Sequence, residues 1–131
     1  MAMNLAQSQG TGGFDPEKPM FPISVVADIL KVHQRTLRIY DDETILVPNR
    51  SPKNRRLYSF NDIERGKFIQ YLTRELGINL AGIKIIIHLL KQQKVNPNNY
   101  MEHIYEIAKE ININPDYEDE EQEENSKKGK K

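Results

Sequence analysis

At 131 residues the chain has room for one modest domain with tails. It contains no cysteine, which excludes a disulfide framework, a thiolate metal site and a thiol redox switch; no apolar run approaches the roughly 20 residues a membrane helix needs, and the N-terminus lacks the basic-then-apolar order of a secretory signal, so a cytoplasmic protein is expected. The formal net charge of zero hides an asymmetry: from Met20 to Val95 there are 13 Lys and Arg against 7 Asp and Glu, an excess of +6 that the two ends offset, and a basic centre of this kind suits a polyanionic ligand.

Residues 1–19 are rich in Gly, Gln and Ser with almost nothing to bury, and are expected to be disordered, with residues 15–18 as a linker. Phe21 to Tyr40, FPISVVADILKVHQRTLRIY, then reads as two short helices joined by a tight turn. Ile23, Val26, Ala27 and Leu30 fall at helical spacing, and Ser24 sits where an N-cap oxygen is wanted. Lys31 and Val32 interrupt the pattern; a second helix starts near His33 and buries Leu37, with Thr36 and Tyr40 beside it. Its first turn carries His33, Gln34 and Arg35, with Arg38 one turn on. A short helix, a turn and a second helix led by long hydrogen-bond donors is the helix-turn-helix layout, in which the second helix enters the DNA major groove N-terminus first. There Arg35 suits guanine and Gln34 suits adenine, each at about 1–3 kcal/mol of discrimination.

Ile45 to Val47 and Arg56 to Tyr58 are short strand-like runs around PNRSPKN, a segment dense in turn formers. They predict a β-hairpin wing, with Arg50, Lys53, Arg55 and Arg56 on or beside it where phosphate contacts need them. Asp41, Asp42 and Glu43, which precede it, read as a solvated helix end. Ser59 caps a third helix with Asp62 as its capping-box partner, and Ile63, Ile69, Leu72 and Leu76 form the buried stripe that ends at Gly77.

Asn79 opens a fourth helix, LAGIKIIIHLLKQ. Leu80, Ile83, Ile87 and Leu90 make one face, but Ile85, Ile86 and Leu89 are apolar too, so more than one side needs cover and a partner subunit is expected. Asn96-Pro97 breaks the chain and restarts it, and Tyr100, Ile104, Ile107, Ala108 and Ile111 follow a helical repeat opposite Glu102, Glu106 and Glu110. An isolated helix of about 14 residues is marginal in water, so it needs either the chain's own core or the matching helix of a second chain; the second is favoured, because groove-reading domains of this kind usually bind as two-fold pairs. The contact is expected at Ile86, Leu89 and Leu90 of the fourth helix and at Tyr100, Ile104, Ile107 and Ile111 of the last.

From Pro115 the chain is acidic and then lysine-rich, charge blocks expected to be disordered. Such a tail either solubilises, or competes with DNA for the basic centre or meets a partner. The predicted fold is mainly α: a winged helix-turn-helix with a short β-hairpin wing, two further helices and a C-terminal dimerisation helix. Its boundaries are 1–19 for the disordered N-terminal segment, 20–94 for the DNA-binding domain, 95–114 for the last helix and 115–131 for the tail.

The segments ISVVADILKVHQRTLRIYDDETIL, RRLYS and FNDIERGKFIQYLTRELGINLAGI, in this order and spacing, resemble the MerR family of winged-helix regulators, from about Phe21 to Leu90. Within it, TLRIY, LTRELGINLAGI, the lack of cysteine and the short C-terminal part are similar to the heat-shock repressors. The chain departs from the family at Lys31 and Thr44, where the family usually has Gly, and at Gly66, where it often has Leu. A non-Gly residue adopts the left-handed conformation at modest cost, so the fold is expected to stand; Gly66 costs of order 1 kcal/mol in helix propensity. The resemblance implies that Arg38 and Tyr40 contact DNA while Arg56 and Tyr58 of the wing hold its backbone; the rings of Tyr40 and Tyr58 read equally well as core with hydroxyls at the rim, and the two readings are compatible. It also implies a dimeric repressor of heat-shock and chaperone operons on double-stranded inverted repeats, with a chaperone such as DnaK as feedback partner.

An enzyme is not expected. No P-loop, nucleophile elbow or Cys/His cluster occurs, and His33, His88 and His103 fall on separate helices without ligand spacing. No cofactor or metal is expected. Nor can the roughly 35 residues after the fourth helix enclose a drug-sized pocket of ~300 Å³ unaided. The alternatives are a MerR-type regulator of another stress response and an architectural or excisionase-like DNA-binding protein, which bends many sites with little sequence preference. A pure protein-interaction module predicts no salt-dependent DNA affinity at all.

Overall fold

A computed structural model describes residues 13–113; the expectations for residues 1–12 and for the acidic and lysine-rich tail lie outside the described residues. The chain divides into two compact units, Met1–Ile63 and Glu64–Lys131.

In the first unit, strand β1 (Phe21–Pro22) runs directly into helix α1 (Ile23–Leu30). Helix α2 (Gln34–Asp42) follows, then strands β2 (Asn49–Arg50) and β3 (Arg56–Tyr58). The strands form an antiparallel sheet in the order β1-β3-β2, with Phe21 opposite Tyr58 and Arg50 opposite Arg56. Helix α1 lies against α2, β1 and β3, and Val26, Ala27, Leu30, Leu37, Ile45, Leu46, Tyr58 and Ile63 are buried.

Four expectations are corrected. Ser24 is not the cap of α1: Pro22 holds that position in extended conformation, and no side chain caps the helix, because the chain enters it straight from a strand. Ile45 to Val47 is not a strand. The amides of Ile45 and Leu46 both donate to the Tyr40 carbonyl, at 2.8 and 3.2 Å, and close the end of α2. Their apolar side chains mark burial rather than pairing, and β2 lies further on. The sheet has a third strand, β1, anchored also by the Met20 amide on the Tyr58 carbonyl. Finally, the segment expected to be disordered up to residue 19 is docked from Phe14 onward. The Phe14 ring meets Phe60 edge-on at 5.5 Å, the Asn61 amide donates to the Pro16 carbonyl, and Asn61 Nδ2 donates to Glu17 Oε2 at 2.7 Å.

Helix α3 (Phe60–Gln70) begins in the first unit and ends in the second. Its capping box forms as expected: Ser59 Oγ accepts from the Asp62 amide at 3.0 Å, and Asp62 Oδ2 accepts from the Ser59 amide at 2.9 Å. A π-helical turn (Tyr71–Glu75) continues it, and Gly77 leaves it at φ +67°. Helix α4 spans Leu80–Gln92, with Asn79 Oδ1 accepting from the Gly82 amide. A 3₁₀ turn (Pro97–Asn99) capped by Asn96 leads into α5 (Tyr100–Glu110). The second unit buries Phe68, Ile69, Tyr71, Leu72, Ile83, Ile87, Leu90, Tyr100 and Ala108. Phe68 and Tyr100 meet at 5.6 Å and Tyr71 and Tyr105 at 6.0 Å between ring centres.

Lys31 and Thr44 both adopt the left-handed conformation, at φ 58° and 57°. The Lys31 and Val32 amides return to Asp28 and Ala27, and those of Thr44 and Ile45 return to Asp41 and Tyr40. Each pair is a Schellman closure, which glycine usually makes. At Lys31 and Thr44 the chain thus adopts, without glycine, the conformation that glycine favours.

Candidate nucleic-acid interface

Helix α2 is held by one fully buried side chain, Leu37. Arg35, Arg38 and the capping residue His33 are exposed, and Gln34, Thr36, Tyr40 and Asp41 are half-buried. His33 offers no side-chain cap, so the amides of the first turn have no side-chain acceptor from it. That leaves donors of the kind that receive anions at helix N-termini. His33, Gln34, Arg35, Thr36 and Arg38 line an open depression of about 490 Å³ around this turn. Gln34 Oε1 accepts from Arg38 Nη2 at 3.3 Å. An amide carbonyl accepts two hydrogen bonds, so Gln34 still presents its NH₂ and a second acceptor position for the bidentate pairing with adenine read from the sequence.

The wing turn is closed by its own backbone. The Ser51 amide donates to the Arg55 carbonyl and the Asn54 amide to the Ser51 carbonyl, both at 2.8 Å, and Asn54 sits at φ 64°. Ser51 Oγ adds a bond from the Arg55 amide at 3.1 Å. This places Lys53 and Arg55 at an exposed tip. The other two wing cations are tied back to α2. Asp41 Oδ2 accepts from Arg56 Nε at 2.8 Å and lies 3.5 Å from Arg50 Nη2. Sequence reasoning read Asp41 as part of a solvated helix end. No local pattern marks it otherwise, because its partners lie 9 and 15 positions further on.

Of the two tyrosines, Tyr40 is half-buried in α2 and its carbonyl receives the closing amides. Tyr58 takes the core placement of the two expected for it. Its side chain is fully buried and its hydroxyl has no hydrogen-bond partner among the described residues. Burial pushes its phenol up to about 12, with the nearby Arg56 guanidinium opposing and Asp41 reinforcing the rise. The inward ring of β3 cannot hold a DNA backbone from there; it fills the core under the wing. Among the described residues no group of His, Asp and Glu is placed to hold a metal ion, and no helix is long and apolar enough to cross a membrane.

Residues 21–90 match the MerR HTH family of regulatory proteins. The chain belongs to the MerR family. It is 36% identical over 91 residues to the HTH-type transcriptional regulator GlnR of Bacillus anthracis, covering 70% of this chain and 69% of that one. A Streptomyces coelicolor protein named as heat shock protein HspR is 43% identical over 76 residues, 58% of this chain and 50% of its own length. The HTH-type transcriptional regulator TnrA of Bacillus subtilis is 33% identical over 67 residues, 51% and 60% of the two chains. This MerR-family protein is therefore a DNA-binding transcriptional regulator, and α1, α2 and the β2–β3 wing lie within the matched region.

The residues expected at a dimer contact divide in this MerR-family chain. Leu90 and Tyr100 are buried within the chain itself, Tyr100 with its ring against Phe68, so they offer no outward surface. Ile86 and Ile104 are half-buried, whereas Leu89, Ile107 and Ile111 are exposed. Ile85, which the sequence reading left out of the contact, is 59% exposed, more than Leu89 four positions on.

Proposed function

We propose that this regulator represses heat-shock and chaperone operons by binding inverted repeats as a dimer. One observation carries the DNA-reading part: the first turn of α2 exposes His33 and Arg35 with Gln34 half-buried between them, and its last turn is joined through Asp41 to a wing tipped by Lys53 and Arg55. In this reading Arg35 contacts a guanine edge, Gln34 and His33 read neighbouring base edges, Arg38 and Tyr40 support the helix against the backbone, and Arg50, Lys53, Arg55 and Arg56 attract phosphates. The exposed Ile85, Leu89, Ile107 and Ile111 supply apolar surface for a second copy. Likeness to HspR supports the heat-shock assignment, with a chaperone such as DnaK as feedback partner. Heat, or withdrawal of the chaperone, lowers the population of the binding-competent dimer and frees the promoter. The match to GlnR covers more of the chain and favours, as second reading, a MerR-type regulator of other operons.

The test is selection of duplexes from a random library with the full-length protein, followed by genome-wide protection mapping. An inverted repeat upstream of chaperone genes, released between growth and heat-shock temperature, is the expected result. Repeats upstream of other genes would transfer the assignment to the second reading. Broad protection without a consensus would identify an architectural protein instead. Within the selected site, Arg35→Ala is expected to relax preference at one base position, by about 1–3 kcal/mol. Loss of affinity without loss of preference would remove Arg35 from the groove.

A further inference from the structure

Asp41 occupies the last turn of α2, where a carboxylate faces the negative end of the helix dipole and is unfavourable unless cations offset it. The offset comes from the wing. Arg56 on β3 and Arg50 on β2 both reach the same oxygen, Asp41 Oδ2, at 2.8 and 3.5 Å. The pair with Arg56 is shielded, with 20% of the arginine and 14% of the aspartate side chain exposed. Arg50 extends the link into the wing turn through Nη1, which donates to the Asn54 carbonyl at 3.1 Å. One carboxylate thus joins the groove-facing helix, both wing strands and the wing turn.

We propose that Asp41 is a positioning residue for sequence-specific DNA recognition: it sets the wing in register with α2, and so determines how strongly the protein distinguishes its operator from other DNA. The inference rests on the DNA-binding reading above. The chemistry follows from how the guanidinium is held. Arg56 spends its Nε–H on Asp41, which leaves the NH₂ edge to fork a phosphate. The side chain is ordered before DNA arrives, so less freedom is lost on binding. Without the carboxylate, two guanidiniums face each other with nothing between them, and their repulsion moves the two strands off register. DNA of any sequence still attracts the freed cations. Operator binding needs helix and wing in place together, and it alone suffers.

The experiment compares full-length wild type, Asp41→Asn, Asp41→Glu and Arg56→Lys on two probes, the duplex selected from a random library and calf-thymus DNA, across a salt series. Asp41→Asn is expected to bind the selected duplex about tenfold or more weakly. Its affinity for calf-thymus DNA stays equal or rises, with a salt slope steeper by up to about one unit. Asp41→Glu restores the slope and recovers part of the operator affinity. Arg56→Lys keeps the charge but loses the held fork, and lowers the ratio of the two affinities without changing the slope. A plain phosphate contact would instead let both affinities move together. If Asp41→Asn keeps the ratio within twofold of wild type, the inference is overturned. Should Asp41→Asn lose its helical circular dichroism, Arg56→Lys decides in its place, and a ratio within twofold there overturns the inference equally. A wild-type protein that selects no duplex overturns both this inference and the reading it rests on.

Discussion

Helices α2 and α4 are put together on opposite plans. Helix α4 starts on a side-chain cap, Asn79, and buries Ile83, Ile87 and Leu90. Helix α2 starts on His33 without a side-chain cap and buries Leu37 alone. Helix α3 is capped too, through its Ser59–Asp62 box, whereas α1 is uncapped yet buries Val26, Ala27 and Leu30, and α5 also starts without a side-chain cap from Asn99. A capped helix closes its first amides on the protein itself, whereas an uncapped one keeps them for water or a ligand. The helix proposed to read DNA therefore lacks a side-chain cap at its start, and depends on its single anchor and on the closures at its ends. Local rules of this kind are relaxed where a surface has work other than folding.

The largest effect that tests this contrast is at Leu37. Leu37→Ala empties the only buried position of α2 and is expected to lower stability by about 3 kcal/mol, within the usual range of about 2–5 for such truncations. Urea unfolding monitored by circular dichroism measures it. A loss under about 1 kcal/mol would mean that α2 is held by something other than its anchor.

The left-handed residues give the next largest effects. Gly77 has open space where a Cβ would sit and φ +67°, so Gly77→Ala meets only the conformational penalty, about 1–2 kcal/mol. Thr44 already bears that penalty as a β-branched residue at φ 57°. Thr44→Gly should therefore raise stability by about 0.5–1 kcal/mol, after the extra chain entropy of glycine is subtracted. Opposite signs at the two positions in thermal melts are the expected outcome. Caps come next. Ser59→Ala is expected to cost about 1 kcal/mol, and Ser24→Ala, at an exposed position inside α1, under about 0.5. Equal losses at the two serines would erase the distinction between capped and uncapped helices.

Much of this architecture is legible in the sequence because it is local. The period of Ile83, Ile87 and Leu90, the box Ser59–Asp62 and the cap Asn79 each specify their element within a few residues. The strand misplaced at Ile45 shows where local reading fails. Ile45 is apolar because it follows a left-handed residue at a helix end, and Val32, Val95 and Ile113 stand in the same place after Lys31, Lys94 and Asn112. An apolar residue just past a helix end is itself a Schellman signal, and with no glycine before it the pattern passes for the start of a strand. Strand β1 is two residues long and exists only through its pairing with β3, so no periodicity announces it. In the candidate interface, Arg35 and the wing cations are readable from charge and helix position. The role of Asp41 is not, since it depends on how β3 is placed against α2, and for the same reason the sequence leaves Tyr58 open between core and interface.

Tyr58 gives the smallest effect at neutral pH and the sharpest pH dependence. Its hydroxyl is buried without a partner among the described residues, a state that costs about 1–3 kcal/mol relative to a satisfied group. Tyr58→Phe should therefore be neutral or slightly stabilising near pH 7. It should also leave DNA affinity within about twofold, because a ring inside the core makes no phosphate contact. At high pH the wild type behaves differently. Burial raises the folded-state value to about 12 from the ordinary 10 of an unfolded tyrosine. Between those values the unfolded chain has released the proton and the folded chain retains it. The folded state then binds more protons, so stability falls as pH rises. Denaturation midpoints of wild type should drop from pH 10 toward pH 12 by more than those of Tyr58→Phe, with both titrating their other tyrosines alike. Parallel curves for the two proteins would mean that the Tyr58 hydroxyl is solvated, and a simultaneous loss of DNA affinity would return it to the interface.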